Sequence, residues 1–165
     1  MLAKSYIADN LRKIERLYNT SPSVQKGLFY SKLAIIELCG WIEISMDDIV
    51  LRLATKQLRE PNNQKYIEKE IIKRNYNFDY ERNFLPMVEA IVGRIGIERM
   101  NSRIDNTLIP PLIGALSTLK VVRNQLAHQY IKGTTLVIDA PSLTSARLHI
   151  VWAGLKNLEA VLLTL

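Results

Sequence analysis

The chain has 165 residues, of which 48% are hydrophobic, with only 7 glycines and 6 prolines, a composition that favours one globular domain over a low-complexity segment. Its formal net charge is +6, from 22 Lys and Arg against 16 Asp and Glu, which is compatible with a nucleic-acid partner without requiring one. One cysteine excludes an internal disulfide, and one cysteine with two histidines excludes zinc sites of common spacing.

The sequence also argues against export and membrane insertion. The start of the chain lacks the basic segment and short apolar run of a secretory signal. The most hydrophobic window, residues 33–53, contains acidic and basic side chains at several positions, too many for a membrane span. We therefore expect a cytoplasmic protein without a membrane partner, and we interpret Cys39 as a small buried hydrophobe.

Prolines punctuate the chain, and the segments between them have helical periodicity. A first helix is predicted over residues 2–18. A second, over residues 23–58, is apolar on more than one side, which is typical of a central helix. A short charged helix is predicted over residues 64–74, and residues 75–80 are predicted to form a loop anchored by aromatic side chains.

The second half of the chain is predicted to contain three helices. The first covers residues 84–92, with residues 93–105 left unassigned. The second covers residues 107–131, where Lys132 and Gly133 end it. Residues 134–138 are rich in β-branched side chains, which favours an extended segment, but this segment has no obvious partner strand. The last helix is predicted over residues 141–164, and helices joined this closely indicate an all-α, antiparallel bundle in a single domain.

The helix predicted over residues 107–131 has two distinct faces. Its core face is formed by apolar side chains at helical spacing, namely Leu108, Leu112, Ala115, Leu119, Val122 and Leu126. The opposite face has small or weakly polar side chains, namely Gly114, Ser117, Val121, Asn124 and His128. A solvated face would usually contain Lys, Glu or Arg, so this second face predicts close approach of another helix. A symmetric copy of the same helix is the most economical candidate.

The end of this helix contains the most reactive cluster of the chain, residues 123–130. Arg123 has a permanently charged, planar guanidinium group whose N–H donors fit a phosphate group. His128 has a side chain that exchanges a proton near neutrality. The two are five residues apart, about 140° around a helix, so they do not share a face. Asn124 and His128 do share one. Two such helices that cross in a dimer could bring both pairs around one cleft.

The pattern Arg-x4-His, with Asn directly after the Arg, resembles the signature of the HEPN superfamily. Many of its members are metal-independent ribonucleases of toxin–antitoxin and phage-defence systems. The resemblance implies an HEPN-like bundle, an RNA substrate, a homodimer with a composite site, and no metal or cofactor. Residues 59–105 correspond to nothing in that pattern and are predicted to be an irregular insertion. Tyr130 matches an extended form, Arg-x4-His-x-Tyr, of toxins paired with nucleotidyltransferase antitoxins, which implies that Tyr130 is modified by such an antitoxin.

The resemblance also implies a role for each residue. His128 would act as base toward a ribose 2′-OH or as acid toward the leaving 5′-oxygen. Arg123 would bind the scissile phosphate, and Asn124 would hold His128 or the phosphate in place. Some HEPN proteins place an acidic residue of the long central helix near the motif. Of the two candidates here we favour Glu37 over Glu43 as a supporting residue.

Other interpretations stay open at this stage. His128 is compatible with a surface histidine, Arg123 with a stem that covers apolar surface, and Tyr130 with a half-buried anchor. In one alternative the chain is a non-catalytic HEPN module that binds a partner protein or a nucleotide. In another it is a helical interaction protein in which the motif occurs by chance. One helix also has a basic side, interpreted as a solvated face or as a track for an RNA backbone, formed by Lys65, Lys69, Lys73 and Arg74.

Overall fold

A computed structural model describes residues 2–165, and all of the regular secondary structure in that range is helical. In chain order the helices are α1 (Ser5–Asn19), α2 (Val24–Gln57), α3 (Pro61–Tyr66, continued by a π-helical turn over Ile67–Ile72), α4 (Leu85–Asn101, preceded by a π-helical turn over Tyr80–Phe84), α5 (Ile109–His128) and α6 (Pro141–Leu162). The structure confirms the predicted all-α bundle. No helix formed by residues 2–165 has both the length and the apolar character needed to cross a membrane.

The long helix α2 is the centre of the bundle. It begins at Ser23, whose hydroxyl accepts a hydrogen bond from the Lys26 backbone N–H (3.3 Å). This N-cap satisfies an N–H group of the first turn that has no acceptor within the helix. Apolar side chains on several of its sides are fully buried, including Ile35, Ile42 and Leu53. It contacts α1 along one side and α5 and α6 along others. The predicted central helix over residues 23–58 is therefore confirmed.

Helices α5 and α6 pack against each other through stripes of apolar side chains, and Leu116 adds to the core face predicted for α5. The stripe of α6 is buried at Leu148, Val151, Leu155, Leu158 and Leu162, and that of α5 at Leu112, Leu116, Leu119 and Leu126. The two helices are close at Gly154, where a Cβ would lie 2.8 Å from the Leu112 Cβ. A side chain there would overlap with Leu112, so glycine sets the closest approach of these two helices.

The segment predicted as an irregular insertion contains more helix than expected. Residues 93–105 were left unassigned, but α4 extends to Asn101 and bends at Gly93, whose φ of +66° strongly favours glycine. The loop before α4 is anchored by aromatic rings as predicted, since Phe78 and Phe84 are fully buried and Tyr80 is nearly so. The insertion therefore contributes side chains to the common core.

Several predicted helix boundaries are wrong, and α3 begins at Pro61 rather than at residue 64. Helix α1 begins at Ser5 rather than at residue 2, because the Leu2 N–H donates to the buried Glu159 carboxylate (2.7 Å) instead. Helix α5 ends at His128 rather than at residue 131, because Gln129 is extended (φ −115°, ψ 132°). The Lys32 ammonium binds the Gln129 carbonyl (2.8 Å), a favourable place for a cation at a helix C-terminus. Within the described chain, residues 134–138 form no strand.

Candidate functional site

The second face of α5 is open to solvent along its whole length. All five of its residues are exposed: Gly114, Ser117, Val121, Asn124 and His128. A Cβ added at Gly114 would contact nothing within 4 Å. The sequence therefore predicted correctly which side of this helix faces away from the core, while the partner expected there lies outside a single chain.

Arg123 lies on the other side of α5 and is held by three groups. Its Nη2 atom is 3.2 Å from the Glu43 Oε1 atom of α2 and 3.2 Å from the Asn77 Oδ1 atom of the insertion. Its guanidinium carbon is 5.4 Å from the centre of the Phe78 ring, a cation–π distance. Within the described residues its buried Nε–H has no hydrogen-bond partner. A quarter of the side chain stays exposed.

The acidic residue beside the motif is Glu43, and the preference for Glu37 needs correction. Glu37 accepts a hydrogen bond from the Asn10 amide of α1 (3.4 Å) and lies on the α1 side of α2. Six residues separate the two glutamates, which is about 240° around a helix. They therefore point to different neighbours, and only Glu43 points to α5.

Glu43 belongs to an acidic edge of α2 that continues one turn later at Asp47. Burial, together with smaller contributions from repulsion by Glu43 and Asp48, raises the pKa of Asp47 to about 6. Cys39, one turn earlier on the same side, is buried, and this burial raises the pKa of its thiol to about 12. Among residues 2–165 no three His, Cys, Asp or Glu side chains form a group that could hold a metal ion.

A second contact, which the sequence did not reveal, docks the insertion onto α5. Lys120 forms an ion pair with Asp79 (2.9 Å), three residues before Arg123 on α5. That contact holds the pKa of Asp79 below its usual value, with help from the backbone N–H donors of the turn that follows. The loop is braced internally because the Asn83 amide donates to Asn75 (2.5 Å) and its carbonyl oxygen accepts from the Asp79 N–H (3.1 Å). The cluster of Asn and Asp after residue 74 is the only signal in the sequence for this bracing.

His128 and Tyr130 line one open groove of about 340 Å³ at the end of α5. The other residues of the groove are Gln129, Lys132, Thr135 and Leu136. Arg123 does not line this groove, so a single chain does not bring Arg123 and His128 together. Because α5 ends at His128, Tyr130 has no helical relation to Arg123. Tyr130 is instead a loop residue with 79% of its surface exposed.

In comparisons with family models, curated proteins and solved structures, nothing matches this chain. A function must therefore be inferred from its own residues and their geometry.

Proposed function

We propose that this protein is a metal-independent endoribonuclease of the HEPN type, a toxin or phage-defence effector that works as a homodimer with a composite site. The single observation that carries the proposal is the open face of α5. Asn124 and His128 are exposed on it at a helix end, and Arg123, about 140° around the same helix from His128, is held by Glu43. These are side chains that can bind a phosphodiester and transfer protons next to it.

The proposed reaction needs no group beyond the two chains and the RNA. The imidazole of His128 takes the proton of a ribose 2′-OH, and the 2′-oxygen then attacks the adjacent phosphorus. The bond from phosphorus to the 5′-oxygen breaks, and that oxygen takes a proton from a protonated imidazole. In a two-fold dimer two copies of His128 are present, so one can act as base and the other as acid. The products are a 2′,3′-cyclic phosphate and a 5′-OH.

In this proposal Arg123 neutralises the charge that develops on the phosphate. Its ion pair with Glu43 is partly exposed, with 25% and 35% of the two side chains open, and screening by solvent weakens such a pair. A phosphate oxygen can therefore compete for the guanidinium. Glu43 and Asn77 then act as positioning residues that orient the fork before substrate arrives.

The dimer is proposed to use more than the small residues of α5, because a specific interface buries about 800 Å² per partner. Helix α2 supplies further apolar surface, here called the α2 ridge, at its exposed residues Phe29, Leu33, Ile36, Ile44 and Leu51. The bond from Lys32 to the Gln129 carbonyl brings the first half of this ridge beside the end of α5. Val121→Arg, in the middle of the α5 face, should therefore yield a monomer in sedimentation experiments.

One observation favours a second candidate, a non-catalytic HEPN module that binds a partner protein or a nucleotide. Arg123 is engaged inside its own chain by Glu43, Asn77 and Phe78. If those contacts are permanent, Arg123 is a clamp that fastens the insertion to α5. The open face of α5 would then bind a partner without chemistry.

A cleavage assay with matched histidine variants separates the two candidates. Purified wild-type protein should cut RNA in the presence of EDTA, and His128→Ala should lose at least about 100-fold in rate, because removal of a general acid–base costs that much or more. The control is His149→Ala, which removes the second histidine of the chain, an exposed residue of α6, and this variant should cut normally. A folded wild-type protein that cuts no RNA would favour the binding module. Normal cleavage by His128→Ala would exclude the proposed site.

We further propose that a partner nucleotidyltransferase controls this activity through Tyr130. The exposed phenol oxygen would attack the α-phosphate of ATP, with release of pyrophosphate, to leave AMP on the rim of the groove that contains His128. Intact mass spectrometry after co-expression should show the AMP adduct on wild type and none on Tyr130→Phe. Neutralisation of toxicity without an adduct would indicate inhibition by binding alone.

A further inference from the structure

Tyr76 is the most exposed aromatic residue near Arg123. It has 82% of its surface open to solvent, and the next residue, Asn77, accepts a hydrogen bond from the Arg123 guanidinium (3.2 Å). Adjacent Cα atoms are about 3.8 Å apart, so the Tyr76 backbone is within roughly 10 Å of the guanidinium. A base next to the phosphate that Arg123 is proposed to bind is therefore within reach of the ring.

The backbone on both sides of Tyr76 is fixed. The Asn75 amide donates to the Asn77 carbonyl (3.2 Å), and Asn75 itself accepts from the Asn83 side chain. On the other side the Phe78 ring is fully buried under the Arg123 guanidinium. An exposed ring on a braced loop presents a flat surface at low cost in conformational entropy, since few degrees of freedom are left to lose on binding.

Positive charge leads towards this ring from α3 and the turn that follows. All four residues of the basic side identified in the sequence are exposed: Lys65, Lys69, Lys73 and Arg74. Lys73 and Arg74 form ion pairs with Glu68 and Glu70, and because these pairs are exposed they are weak enough to exchange for phosphate. The basic side ends two residues before Tyr76, so an RNA backbone can follow it to the Arg123 site.

We infer that Tyr76 stacks on an unpaired base next to the scissile phosphate, which makes single-stranded RNA the substrate. This inference rests on the proposed function and specifies its substrate class. Every base has a π-face, so stacking on one ring tolerates any sequence. A base inside a duplex already has both faces covered by its neighbours. The protein should therefore prefer single strands without strong preference for sequence.

The test measures RNA binding in a His128→Ala background, where RNA stays intact. Fluorescence anisotropy compares an oligoribonucleotide as a single strand and as a duplex. Tyr76→Ala should weaken single-strand binding about tenfold, which is about 1.4 kcal/mol, whereas Tyr76→Phe should keep full affinity. Tyr6→Ala is the matched control, because Tyr6 is equally exposed (86%) but lies on α1. Thermal melts establish that each variant is folded.

The outcomes distinguish this inference from the proposal beneath it. Single-strand binding that Tyr76→Ala leaves unchanged overturns the stacking role while the ribonuclease proposal survives. Equal loss in Tyr76→Ala and Tyr76→Phe also overturns it, because the hydroxyl rather than the ring face would then be responsible. Equal affinity for the duplex excludes single strands as the preferred substrate. A folded protein that binds no RNA refutes both the inference and the proposed function.

Discussion

The two faces of α5 contrast sharply. On the closed face Leu112, Leu116 and Leu119 are at most 1% exposed, and α6 comes so close that only glycine fits at position 154. On the open face a Cβ at Gly114 would meet nothing, although the residues there are as small as those of a packed interface. Packing within the chain accounts for the closed face. No packing among residues 2–165 covers the small residues of the open face, and the proposed dimer is our explanation for them.

The largest expected effect of this contrast is on stability. Leu119→Ala empties a fully buried site on the closed face and should lower the free energy of unfolding by about 2–5 kcal/mol. For a chain of this size that corresponds to a fall in Tm of roughly 5–15 °C. Val121→Ala, two residues on and 56% exposed, should change the free energy by no more than about 0.5 kcal/mol. Urea unfolding of dilute protein measures both, and a comparable loss at Val121 would mean that the open face is covered.

Two glycine-to-alanine variants, one on each side of α5, should change the free energy of unfolding by smaller amounts and in opposite directions. Gly154→Ala forces a methyl group against Leu112 and should destabilise the protein by about 1–3 kcal/mol. Gly114→Ala meets no neighbour and should stabilise the isolated chain by up to about 1 kcal/mol, because alanine is the better helix former. If two copies of α5 approach closely, the same Gly114→Ala change should weaken the dimer. Sedimentation at several concentrations tests this, and unchanged association would move the interface away from Gly114.

The fold was largely predictable because its main helices have long, regular patterns with strong end signals. Helix α2 follows a serine cap and α6 begins at a proline, and both boundaries were predicted within two residues. The end of α5 was not predictable, since apolar residues continue to Ile131 and the helix ends where Gln129 becomes extended and Lys32, distant in sequence, binds its carbonyl. The course of α4 past Gly93 was also missed, because a helix can bend at a glycine and continue.

The site was predictable only as far as one helix determines it. The periodicity of α5 placed Asn124 and His128 on one face and separated Arg123 from them. The partners of Arg123 come from other elements, Glu43 from α2 and Asn77 from the insertion. Which glutamate of α2 faces α5 depends on how the two helices are rotated against each other, and that rotation is set by the packing of the whole core. A single sequence pattern does not contain it.

The smallest expected effect is on the pH dependence of stability, and it concerns the acidic edge of α2 formed by Glu43 and Asp47. The pKa of Asp47 is raised from 3.8 to about 6, mainly because burial disfavours its charged form. The unfolded chain loses this proton near pH 4 and the folded chain only near pH 6. The stability that Asp47 contributes is therefore present at low pH and is lost as the pH rises through that interval.

Asp47→Asn should remove this dependence, so its free energy of unfolding should fall less than that of wild type between pH 4 and pH 7. Because the carboxyl is only half-buried, the advantage of the variant at pH 7 should not exceed about 1 kcal/mol. Asp105→Asn gives the opposite sign, because hydrogen bonds from Thr107 lower the pKa of Asp105 and its contribution is lost as the pH falls. Urea unfolding at pH 4, 5.5 and 7 measures both variants, with the pH values chosen around the two pKa values of Asp47. If Asp47→Asn and wild type give parallel pH curves, the Asp47 carboxyl is as well solvated in the folded chain as in the unfolded one, and the raised pKa is refuted.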